Sequence, residues 1–128
     1  QDNWKVTASS TSLQGVGSTR DPSYVFGFKG WKTDGNLKNG SWFQVELPKA
    51  AALTELSFES RDEMNLGKFK VMVSLDGKQW IEVAQAKGNQ GANTVSWDNN
   101  TEAKFLKIES LEEGEKPWNM RKLNIYAR

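Results

Sequence analysis

Apolar residues recur at every second position along this chain, in short runs, and no segment holds the 3.6-residue period of a helix over ten residues. In "WFQVEL", Phe43, Val45 and Leu47 share one side, and in "LTELSFES" Leu56 and Phe58 stand opposite Glu55, Ser57 and Glu59. "KFKVMVSL" sets Phe69, Val71, Val73 and Leu75 against Lys68, Lys70, Met72 and Ser74. "NTVSWD", "AKFLKIES" and "KLNIY" pair Val95 with Trp97, Leu106 with Ile108, and Leu123 with Ile125. A period of two marks strands that bury one face. With Trp4 to Ala8 at the start, seven or more such runs at roughly 8–12-residue spacing predict an all-β sandwich or barrel. Asp76-Gly77 supplies the positive-φ pair of a tight hairpin, after which Ile81 and Val83 are expected to resume the apolar face.

The chain has 128 residues, within the ~100–200 of one domain, so a single module over residues 1–128 is expected. Its 37% hydrophobic and 26% charged residues describe an ordinary globular protein. Seventeen basic residues face sixteen acidic ones, a formal charge of +1, so no global field draws nucleic acid or a membrane. No apolar run is long enough to span a bilayer. Cysteine and histidine are both absent, which excludes disulfides, thiolate nucleophiles and the usual tetrahedral zinc sites. A metal would have to be a hard cation held by oxygens. Acid–base chemistry would fall to carboxylates or lysines. Asp62-Glu63 and Glu112-Glu113 are neighbours in sequence, which implies no pairing across a substrate. No glycine loop suited to phosphate occurs. An enzyme is not expected. The chain starts at Gln1, the expectation being a processed protein or a module of a longer one.

Seven segments follow one another in the order and spacing of one family. They are "WKVTASS" (4–10), "GWKT" (30–33), "GSWFQVEL" (40–47), "LTELSFESR" (53–61), "FKVMVSLDGKQWIEV" (69–83), "AKFLKIES" (103–110) and "WNMRKLNIY" (118–126). Together they resemble the discoidin family, the coagulation-factor type C domains. These are galactose-binding-like jelly rolls that include many bacterial carbohydrate-binding modules. The resemblance implies a jelly-roll sandwich of about eight antiparallel strands, with a ligand site in loops at one end.

It also nominates residues. Arg61 ends "LTELSFESR" where sugar-binding members often carry an arginine, and a planar guanidinium offers fixed donors to adjacent hydroxyls. The alternative is a salt bridge to Asp62, Glu63 or the acidic loop near Glu112. Trp118 stands in the last long loop, where the family commonly places an aromatic; its indole would stack on a sugar ring, with Asn119 beside it to donate and accept. The alternative is core packing. Tyr24 and Phe28 are the exposed candidates of "YVFGFKG", while Phe26 is assigned to the core lining. Trp31, Trp42, Trp80 and Trp97 are assigned to packing.

Many relatives hold a structural calcium through an Asp-rich segment before "W-x-T" and a Glu on the last strand. Here "YVFGFKGWKT" has no Asp and Lys122 takes the Glu position, so no metal and no cofactor is expected, with the Lys122 ammonium taking the ion's place. Glu112, Glu113 and Glu115 are expected to be a solvated loop. The resemblance implies a monomeric, non-catalytic module binding a glycan, galactose- or amino-sugar-containing, outside the cell, covalently linked to a glycoside hydrolase or similar protein. Two other readings stay open: a spacer or protein-interaction module without a sugar site, and a membrane-binding domain, for which Lys29 and Lys32 beside Phe28 are a thin basis.

Overall fold

The computed structural model describes residues 4–9, 25–27, 30–61, 64, 66–98 and 102–127. They form nine strands: β1 (Lys5–Ala8), β2 (Trp31–Lys32), β3 (Trp42–Ala51), β4 (Leu53–Ser60), β5 (Lys68–Ser74), β6 (Ile81–Lys87), β7 (Gly91–Ser96), β8 (Ala103–Ser110) and β9 (Asn119–Ala127). Two antiparallel sheets result, one of five strands in the order β1-β3-β8-β5-β6 and one of four in the order β2-β9-β4-β7. Two-residue β2 is the addition to the eight strands expected.

The alternating residues meet between the sheets. Phe43 and Val45 of β3, Val71 of β5, and Leu106 and Ile108 of β8 are buried against Leu56 and Phe58 of β4, Val95 of β7 and Leu123 of β9. Because the side-chain period is two, any slip in register would turn these faces out to water, which fixes the pairing. Aromatic edges plug one end. Trp31 meets Phe43 with ring centroids 4.7 Å apart and Trp118 at 4.9 Å, both edge-to-face. Val25 is buried nearby and half-buried Phe26 packs edge-on against Trp4 at 5.5 Å, so the core-lining role expected of Phe26 holds. Trp31 and Trp97 are buried, as expected. Half-buried Trp42 and Trp80 pack on the outer face of the five-stranded sheet, flanking the Lys107 ammonium at 5.6 and 4.3 Å from their ring centroids.

The connection between β5 and β6 corrects the hairpin expectation. It runs from Leu75 to Trp80 and is not a two-residue turn; within it Gly77 has positive φ, and Asp76 does not. Asp76 works instead through its carboxylate, which accepts the N–H groups of Lys78 at 2.8 Å and Gln79 at 3.0 Å. Leu75 lies in this six-residue loop and Ile81 opens the edge strand β6; they are 61% and 57% exposed, although alternation placed both on the buried face. Met72 keeps the outer side expected of it, opposite Lys107 of β8, and is buried there outside the core cluster.

Candidate functional site

The end of β4 and the start of β9 lie side by side, because Glu59 pairs with Arg121 in the ladder. One step further, the Arg61 N–H donates to Asn119 Oδ1 at 2.9 Å and the Ser60 hydroxyl donates to the Asn119 carbonyl at 2.8 Å. Asn119 Nδ2 reaches across to the Trp31 carbonyl on β2 at 2.9 Å. One amide thus ties three strands at this end of the four-stranded sheet. It is 3% exposed, and its amide oxygen and nitrogen already serve these backbone groups, so the sugar-reading role expected of Asn119 gives way to a structural one.

The same correction applies to Trp118. It is fully buried, with its indole edge against Trp31. The Trp118 backbone N–H donates to Thr33 Oγ1 at 3.0 Å, and its backbone carbonyl accepts the Thr33 N–H at 2.9 Å. Stacking needs an exposed ring face, and this indole has none. The loop folds it inward because the two hydrogen bonds to Thr33 pin the backbone just before β9. Tyr24 and Phe28 lie outside the described residues, as do Lys29 and the Asp62-Glu63 pair.

Arg61 takes a different position. With Ser60, Gln90, Gly91 and Arg121 it lines an open depression of about 450 Å³ at the rim of the four-stranded sheet. Arg121 was not foreseen as a site residue, and the reason is a β-bulge. Opposite the single residue Phe58, β9 carries two, Lys122 and Leu123, and Lys122 sits in the left-handed region with φ 53°. Strict alternation back from buried Leu123 would send Arg121 into the core. The extra residue reverses the parity: Trp118 and Met120 are buried before the bulge and Leu123 after it. Arg121 and Lys122, adjacent in sequence, both turn to Glu59: Arg121 Nη2 lies 3.2 Å from Oε1 and Lys122 Nζ 3.7 Å from Oε2.

The Lys122 N–H donates to the Gly27 carbonyl at 3.1 Å, and its ammonium lies 3.7 Å from Glu59 Oε2. Most of the first long loop, whose carbonyls the ammonium was expected to meet, lies outside the described residues. The expectation of no metal turns on residues 21–33, of which 21–24, 28 and 29 lie outside the described residues. Among the described residues no group of three or more carboxylates is arranged to hold a metal. In the acidic loop, Glu112 Oε2 accepts the Lys68 N–H at 3.0 Å, and Glu113 and Glu115 are exposed.

The F5/8 type C domain pattern matches residues 5–123. The chain belongs to the F5/8 type C family. Among solved structures, this F5/8 type C domain is similar to CpGH89CBM32-5 from Clostridium perfringens, in complex with GalNAc-β-1,3-galactose. The two are 20% identical with a TM-score of 0.81, covering 98% of this chain and 96% of that one. It is also similar to chitosan-binding module 1 of a chitosanase/glucanase from Paenibacillus sp. IK-5, at 17% identity, 98% and 96% coverage and a TM-score of 0.78. The CBM32 of AlyQ, in complex with 4,5-unsaturated mannuronic acid, matches at 15% identity, 95% and 93% coverage and a TM-score of 0.75. These likenesses establish the galactose-binding-like sandwich. Comparison with curated protein sequences finds no significant match.

Proposed function

We propose that this F5/8 type C domain is a single non-catalytic carbohydrate-binding module that holds its ligand in the Arg61 depression. The observation that carries this reading is the placement of Arg61, the residue after β4, among those that line an open polar hollow at the rim of the sandwich. Ligands of structurally similar modules, GalNAc-β-1,3-galactose, chitotriose and an unsaturated mannuronic acid, support a glycan as the ligand class. A shallow site buries little of a sugar, so affinity for a single ring is weak and several rings or copies are needed for firm attachment. In the full-length protein the module would act outside the cell, tethering a glycan-acting catalytic domain to its polymer and raising the local substrate concentration.

A glycan array with the purified domain tests this. The expected outcome is binding to a defined set of glycans that is lost in Arg61→Ala, with the melting temperature held within a few degrees. Absence of any glycan binding, or binding untouched by Arg61→Ala, would overturn it.

A further inference from the structure

We infer that Gln90 is a second ligand-contacting residue of the Arg61 hollow, and that it reads a hydrogen-bond donor and an acceptor standing side by side on the saccharide. Two neighbouring hydroxyls, or the N–H and C=O of an acetamido group, supply that pair. The inference rests on the glycan-binding reading and concerns the ligand chemistry of that same hollow.

The ladder between β4 and β7 brings Gln90 to Arg61. Ser60 pairs with Gly91 in antiparallel register, so the next step along both strands sets Arg61 against Gln90. Both line the hollow, with Ser60, Gly91 and Arg121. On its other flank Arg61 is tied to Asn119 by the 2.9 Å bond from its N–H. The turn that carries Gln90 is anchored on either side of it. Before it, the Gly88 N–H donates to the Gly67 carbonyl at 2.6 Å. Buried Asn93 then closes the turn: its Oδ1 accepts the Asn89 N–H at 2.7 Å, and its Nδ2 donates to the carbonyls of Asn89 at 2.9 Å and Gly91 at 3.1 Å. Gly91 takes the left-handed conformation, φ 86°, that leads the chain into β7. Between these anchors Gln90 is exposed, and its carboxamide has no hydrogen-bond partner among the described residues.

That carboxamide brings a carbonyl acceptor to the hollow. A guanidinium only donates, so Arg61 and Arg121 can meet the lone pairs of a sugar oxygen but cannot take its proton. The Ser60 hydroxyl donates inward, to the Asn119 carbonyl. Among the described lining side chains Gln90 alone carries a C=O, with its NH2 beside it in one plane. A donor and an acceptor at fixed separation match a hydroxyl pair or an acetamido group, and a sugar that lacks one of the two leaves a polar group unpaired. The anchored turn leaves only the side chain itself to be ordered when a ligand binds.

The test is a glycan array read over a concentration series with the unaltered domain, with Arg61→Ala and with Gln90→Met, which keeps the length of the side chain and removes both polar groups. Binding to part of the bound set should weaken by roughly three- to tenfold in Gln90→Met, the loss expected of one or two hydrogen bonds. The melting temperature should not move, because the carboxamide holds nothing else in place. Losses confined to N-acetylated glycans, with their plain hydroxyl counterparts untouched, identify an acetamido group as the source, and the converse identifies a hydroxyl pair. Binding that is lost in Arg61→Ala but unmoved in Gln90→Met would overturn this inference and leave the glycan-binding reading standing. An equal loss on every bound glycan, with or without a fall in melting temperature, would overturn it as well. Absence of binding by every glycan would overturn both.

Discussion

Single side chains at the end of β4 and the start of β9 decide between packing and binding. Trp118 is the clearest: its indole is enclosed, edge-on to Trp31, and no ring face meets solvent. Trp118→Ala should therefore cost about 3–5 kcal/mol of stability, as for other large aromatics truncated in a core. In a domain of this size that lowers the melting temperature by roughly 10–20 °C. Equilibrium unfolding in urea checks it; a mutant of unchanged midpoint that lost only glycan binding would contradict the core assignment. Gly30 has φ +81° and faces the Met120 carbonyl and Arg121 Cβ. Gly30→Ala should destabilise by on the order of 1–3 kcal/mol, since both the backbone conformation and the space are refused. It should also weaken ligand binding in the molecules still folded, because β9 must shift to admit the methyl group. Thermal melts paired with calorimetry measure both effects.

At the scale of elements, alternation predicted where strands lie and failed where a strand is irregular or ends. The β5–β6 loop and the β9 bulge are the two failures, and in both a local hydrogen-bonding or register feature overrides the simple period. In the β5–β6 loop, Asp76 accepts the Gln79 and Lys78 N–H groups and a Ser74 hydroxyl, and these bonds hold its carboxyl below the usual aspartate pKa. A depressed carboxylate pKa stabilises the fold above the unfolded-state value and loses that contribution as pH falls through the folded-state value. Asp76→Ala should therefore lower the melting temperature near pH 7. The gap to the native protein should close on acidification below the ordinary aspartate range. A gap constant with pH would show that the loop does not depend on the charge. Melting curves from pH 7 to pH 2 would decide it.

For the whole molecule, two sheets of five and four strands clamp a core of aliphatic and aromatic side chains without any disulfide. Stability on this plan comes from packing, and among the described residues no group of three or more acidic side chains could hold a metal ion as a further clamp. A chelator should leave the melting temperature unchanged, and millimolar calcium should not raise it. Scanning calorimetry with and without chelator checks this, and a clear fall on chelation would show that residues outside the described set bind a structural ion.

Composition and the period of two were enough to specify an all-β chain with its buried faces, because burial of alternate residues is written directly into local sequence. The same residues carried the resemblance to the F5/8 type C domains, and with it the sandwich and Arg61 as a candidate. Whether a residue near a strand end faces inward or outward was beyond local sequence. Trp118 turned inward because Thr33, 85 positions away, takes its backbone N–H. Asn119 became a strut because Arg61 and Trp31 lie across from it. Arg121 reached the rim because one extra residue opposite Phe58 reversed the parity of β9. Periodicity carries information only along the strand, whereas each of these outcomes is fixed by a partner brought close through antiparallel pairing.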